Sequence, residues 1–146
     1  MEYPVLDIAN KILAVANDYL DAGEFVCNMK LQKLLYYQQG FHLAYFNAPL
    51  FGDEIEAWIY GPVVPGVYEH FHSYESKGIE YLGDVINLAA KEESLFHEVD
   101  RTYGKYSAIG LMDMVHQEMP WKSTRREKGS IITKEKMKAF FKERLR

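Results

Sequence analysis

Residues 28–46 read Asn28-Met29-Lys30-Leu31-Gln32-Lys33-Leu34-Leu35-Tyr36-Tyr37-Gln38-Gln39-Gly40-Phe41-His42-Leu43-Ala44-Tyr45-Phe46, and this stretch decides the fold. Leu31, Leu34, Leu35, Gln38, Phe41, His42 and Tyr45 recur at the three- and four-residue spacing of one helical face, while Tyr36, Tyr37, Leu43 and Ala44 cover much of the other. A helix apolar on nearly all sides is buried on several of them. The spacing therefore predicts a central helix, with Asn28 as an acceptable N-cap and only Lys30, Gln32, Lys33 and Gln39 left wet. Gly40 costs such a helix about 1 kcal/mol against alanine, which predicts the close approach of another backbone there.

Toward the N-terminus, Val5, Ile8, Ile12, Val15 and Tyr19, with Leu6, Ala9, Leu13, Ala16 and Leu20 one residue later, form a broad apolar stripe. Asp7, Asn10, Lys11, Asn17 and Asp18 stay outside it, Pro4 fits the start and Gly23 a C-cap, so a helix is predicted over 5–21. Beyond the breaker Asn47-Ala48-Pro49, Ile55, Ala57 and Ile59 alternate with Glu56, Trp58 and Tyr60 in a strand stopped by Gly61-Pro62. Pro65 opens a helix bearing Val67, Phe71 and Tyr74, and Ile79 and Tyr81 suggest a second short strand. Helices follow over 90–103 and 107–117, the second with Ser107 as N-cap and ended by Met119-Pro120-Trp121. Residues 122–132 read as a loop, and Thr133 caps a last helix with Met137, Phe140, Phe141 and Leu145 inward. The expected fold is mainly α: one compact domain over residues 1–146, of about six helices with a small two- or three-strand β element.

Composition narrows the class. Hydrophobic residues make up 48% and charged residues 26% of the 146, which excludes a disordered chain or a disulfide scaffold. The 11 Tyr, 8 Phe and 2 Trp are many rings for one small core, so some are expected on a surface that meets a partner. Cys27 has no second cysteine to pair with, the first residues lack a signal-peptide pattern, and no apolar run nears the roughly 20 residues of a membrane span. A cytoplasmic protein without a membrane partner is expected. Residues 122–146 carry 10 Lys/Arg against 3 acids, whereas the rest carries 7 against 18. The tail, with Arg125, Arg126 and Lys128, offers a nucleic-acid reading, but the acidic body repels phosphate and a solvated basic face is the expectation.

No catalytic set stands out. The five histidines have no metal-ligand spacing, and neither a Gly-x-Ser-x-Gly elbow nor a phosphate-binding glycine loop is present; no metal and no cofactor are expected. Glu92-Glu93 reads as a solvated helix turn, and Glu56 sits where Trp58 could fix it. Gln38 and His42 are spaced to bond each other, the loop at Gly61, or a ligand. The enzymatic alternative gathers His42, Glu56 and His116 into a pocket beside Tyr36. The run Glu56-Ala57-Trp58-Ile59-Tyr60-Gly61-Pro62-Val63-Val64-Pro65 reads either as a rigid platform for a protein partner or as a corner packed on the central helix.

Three segments resemble the Panacea antitoxin domain in order and approximate spacing, over about residues 6–141. They are Lys30 to His42, Ile55 to Pro65 followed by Val67-Tyr68, and His116-Gln117-Glu118-Met119-Pro120-Trp121 downstream of Tyr106-Ser107-Ala108. One departure is Val115, where the family often places a Thr before the His. The resemblance implies a bacterial or prophage antitoxin, not an enzyme, that neutralises a cognate toxin by direct binding. In the adaptor variant it also delivers the toxin to a protease complex. Within the motifs, Tyr36, Trp58, Tyr60, Pro62 and Trp121 are the expected protein-binding residues.

Overall fold

Helix α2 (Asn28–Phe46) forms the axis of the molecule, with residues Leu31 to Gly40 all buried. The computed structural model describes residues 2–20 and 24–145. Packed on α2 are α1 (Val5–Tyr19), α3 (Pro65–His70), α4 (Ala90–Tyr103), α5 (Ala108–Val115) and α7 (Lys134–Arg144). The four-residue α6 (Met119–Lys122) packs on α7, and a 3-10 turn, His72–Tyr74, follows α3. A three-stranded antiparallel sheet of β1 (Ile55–Trp58), β2 (Gly61–Val63) and β3 (Ile131–Ile132), in the order β2-β1-β3, lies at one end. This is the mainly helical fold with a small β element that the periodicity predicts. Ser107 and Thr133 cap α5 and α7 by accepting from the Gly110 and Lys136 N–H groups. Pro65 takes the first position of α3. The proposed C-cap Gly23 lies outside the described residues.

Several expectations are corrected. Ile79 and Tyr81 form no strand; the Ile79 N–H instead donates to Val26 O at 2.9 Å. The third strand comes from the aperiodic 122–132 segment, where Ile131 and Ile132 pair with Glu56 and Ile55. Two residues are too few to show a period. Gly61-Pro62 does not stop the strand but begins its partner, and Pro62 is tolerated because β2 is an edge. Met119-Pro120-Trp121 starts its own short helix, with Pro120 in the first turn. Leu145 is 44% exposed rather than inward.

The largest correction concerns polar residues. Lys30, Gln32, Lys33 and Gln39 are buried, as is Lys11 on α1. A helix surrounded by loops must satisfy the loops' backbone groups as well as its own, and these side chains do so. Gln39 accepts from the Leu50 N–H and donates to Phe51 O, both at 2.8 Å. Gln32 accepts from the Val64 N–H at 2.8 Å and donates to Asn28 Oδ1. Lys30 donates to Gly104 O, and Lys11 to Ile86 O and the Glu93 carboxylate. Asn28 is not the N-cap, which is Cys27; its amide donates to Tyr68 O and ties α2 to α3. At Gly40 the neighbour is the Phe141 ring of α7 rather than a backbone, and a Cβ there would overlap that ring.

Candidate protein-binding site at the hairpin

The β1–β2 hairpin turns through Ile59 and Tyr60, which are 67% and 61% exposed. Gly61 closes the turn at φ +134°, a conformation that favours glycine, and buried Lys33 lies beneath it. Burial lowers the Lys33 ammonium to a pKa of about 8. Glu56 pins the hairpin: its carboxylate accepts from Trp58 Nε1 and from the Gly129 N–H, both at 2.9 Å. The half-buried Trp58 ring meets Tyr68 of α3 edge-on at 5.1 Å between centroids, and its backbone oxygen accepts from Trp121 Nε1 at 2.8 Å. Trp121 stacks on His116 at 4.2 Å and carries the Arg126 guanidinium over its ring at 4.7 Å. Between the hairpin tip, α3 and the 126–128 segment lies an open groove of about 460 Å³, floored by Met29 and Val63 and walled by Trp58, Tyr60 and Tyr68.

The expected binding residues fall into two groups. Trp58 and Tyr60 line this groove. Pro62 is buried in β2, Trp121 is 7% exposed beneath Trp58, and Tyr36 is wholly buried, so these three meet solvent little or not at all. Tyr36 belongs instead to a buried polar cluster. Its hydroxyl donates to Glu118 Oε1 at 3.0 Å, Tyr37 donates to Oε2 at 2.8 Å, and Arg144 pairs with Oε2 at 3.0 Å while donating to the Tyr103 hydroxyl. Burial pushes the Glu118 carboxyl above its usual range against the pull of Tyr37 and Arg144. Burial and the nearby carboxylate likewise raise the Tyr36 and Tyr37 hydroxyls well above theirs. The cluster bolts α2, α4, α6 and α7 together.

The proposed His42, Glu56 and His116 pocket does not form. His42 Nε2 meets Glu92 Oε2 and its Nδ1 meets Ala48 O, each at 2.6 Å, while Glu56 serves the hairpin and His116 stacks on Trp121. Gln38 donates to Phe96 O rather than to His42 or the Gly61 loop. Glu92 and Glu93 are not a solvated turn. Glu92 accepts from Tyr3 as well as bonding His42, and Glu93 holds Lys11, His97 and the Leu88 N–H. Burial pulls both carboxyls up, but these partners outweigh it and hold them below the usual range. Among the described residues no group of three or more His, Cys, Asp or Glu could hold a metal ion, and no helix is long and apolar enough to cross a membrane. Tyr68, which the sequence places beside Trp58 and Tyr60 among the rings of the motif segments, lines the groove with them. Sequence reasoning missed Met29 at the start of α2, because nothing in its local pattern marks it.

The family model described as "Antitoxin SocA-like, Panacea domain" matches residues 31–122, from early α2 to the end of α6. A similar protein is the "Antitoxin SocA" of Caulobacter vibrioides (strain NA1000 / CB15N), 40% identical over 131 residues that cover 74% of this chain. The match spans 66% of that protein's length. No solved structure matches.

Proposed function

The chain belongs to the SocA-like Panacea antitoxin family, and from that premise we propose that it neutralises a cognate toxin by direct protein–protein binding at the hairpin groove. The observation that carries this reading is the hairpin tip, where Ile59 and Tyr60 stand more than 60% exposed on a turn held from behind. A rigid aromatic projection anchors a partner at little entropic cost. Trp58 and Tyr60 make the contact, while Trp121, Pro62 and Tyr36 keep the surface in shape from below. In this reading the protein performs no chemistry of its own.

Co-expression with the cognate toxin tests it. Tyr60→Ala, alone or with Ile59→Ala, removes only exposed side chains, so the protein stays folded. Loss of one central anchor weakens toxin binding about 10- to 30-fold and abolishes growth rescue. A folded double variant that binds and rescues like the parent sinks the proposal. Toxin lifetime in the rescued cells separates masking, which leaves it unchanged, from delivery to a protease, which shortens it.

A further inference from the structure

Four charged side chains line the hairpin groove, Glu69, Arg126, Glu127 and Lys128, and among the described residues Glu69 and Lys128 have neither a hydrogen bond nor an ion pair. The Glu69 carboxylate on α3 makes no hydrogen bond or ion pair there, although it shares the groove with Trp58, Tyr60 and Tyr68. The Lys128 ammonium makes none either; it sits over the Trp58 ring, 4.8 Å from the centroid. The neighbouring Glu127 is already paired, with Arg125. Lys128 thus shows which chemistry the Trp58 face accepts: a cation whose methylene stem lies along apolar surface.

We infer that the groove takes a basic side chain, arginine or lysine, from the bound protein partner. Its charged head replaces Lys128 on the Trp58 ring and pairs with Glu69. Met29 and Val63 supply the apolar floor that the stem of such a residue needs. Among the groove's charges the unpaired one that a partner can complement without displacing another is the Glu69 carboxylate, which favours this occupant over a nucleic-acid strand. Arg126 is engaged by the carbonyls of Lys122 and Thr124 and by the Trp121 ring, and a phosphate would face the unpaired Glu69 carboxylate. Lys128 is then a placeholder whose departure precedes engagement, so it lowers the partner's apparent affinity by competing for the same ring.

The inference rests on the reading of this groove as the toxin contact, and its test needs no toxin. The full chain is titrated with acetyl-Gly-Arg-Gly-amide, acetyl-Gly-norleucine-Gly-amide and a short oligothymidylate, following the indole N–H resonances of Trp58 and Trp121. The arginine peptide is expected to shift the Trp58 signal, and the norleucine peptide to shift it far less. Lys128→Ala, which vacates the ring, tightens the arginine peptide about three-fold, and Glu69→Gln weakens it by a similar factor, as one cation–π contact or one exposed charge pair allows. Both substitutions are at exposed positions, and circular dichroism checks the fold. Equal shifts from the arginine and norleucine peptides overturn the inference, as do affinities unmoved by either variant. Oligothymidylate binding that is lost in Lys128→Ala overturns it in favour of nucleic acid. Arginine-peptide binding beside unimpaired rescue by the hairpin variants leaves the inference standing and removes only the toxin assignment.

Discussion

Glu118 is the carboxylate on which Tyr36, Tyr37 and Arg144 converge, at 3% exposure. Glu118→Ala leaves two buried hydroxyls and a half-buried guanidinium without their acceptor. The expected cost is about 3 kcal/mol, read as a melting midpoint lowered by about 10 °C. Arg144→Met costs less, because the guanidinium keeps 35% of its surface in water. Gly40 makes a second prediction. Gly40→Ala drives a methyl into the Phe141 ring and destabilises by about 1–3 kcal/mol, while Phe141→Leu in the same chain recovers part of that loss. Denaturant titration of the two single variants and the double measures the coupling. Additive losses rule out the ring as the cause. At this scale the residue pattern shows that Gly40 meets something closely, but not what, since a ring and a backbone impose the same demand for a missing Cβ.

The first turn of α4 carries a pH response. Glu92 and Glu93 have folded-state pKa values below the ordinary range, so the folded chain holds their protons more weakly than the unfolded chain. Their stabilisation is present above the unfolded value of about 4.3 and is lost as pH falls through that value toward the lower folded ones. Burial pushes Glu118 and Asp100 the opposite way, so the clean measurement is a difference. Unfolding free energy plotted from pH 7 down to about pH 2.5, past the lowered folded values, should fall less in Glu92→Gln than in the parent. Parallel curves for the two proteins discard this assignment. The elements themselves were legible where periodicity is long: α1, α2, α4, α5 and α7 follow their apolar spacing closely. The sheet was half legible. β1 shows alternation, but β2 is three residues containing a proline and β3 only two, lengths at which pairing with β1 decides and local pattern does not.

Across the whole molecule the charge separation seen in the sequence is partly internal. Lys134 bonds Glu54 and Arg144 bonds Glu118, so basic groups of the last segment sit on acids of the body. The candidate site was readable as the segment Glu56 to Pro65, because a Trp, a Tyr and two prolines that close together stand out. Tyr68, three residues beyond that segment, was readable with it, but the wall at Lys128 was not, because that residue reaches the groove from a distant part of the chain. The polar residues of α2 misled for a related reason: a helix encircled by loops buries glutamines and lysines as braces, and a face-by-face reading treats every polar residue as wet. Helix α7 carries the prediction that belongs to the molecule as a whole. A stop codon after Ile132 removes Phe141 and Arg144 together, exposing the Gly40 notch and the Glu118 carboxylate. Such a chain should be cut by protease at least tenfold faster than the parent, a loss of protection worth well over about 1.4 kcal/mol. Equal cleavage rates would show that α7 is dispensable to the core.

The Gly40 and Phe141 contact joins positions about a hundred residues apart, and its second half follows every other element packed on α2 in chain order. During synthesis the central helix therefore waits with an open notch, and Glu118 without its guanidinium partner, until α7 has left the exit tunnel. A partner that must be met before α7 emerges is met by a chain that has not yet closed.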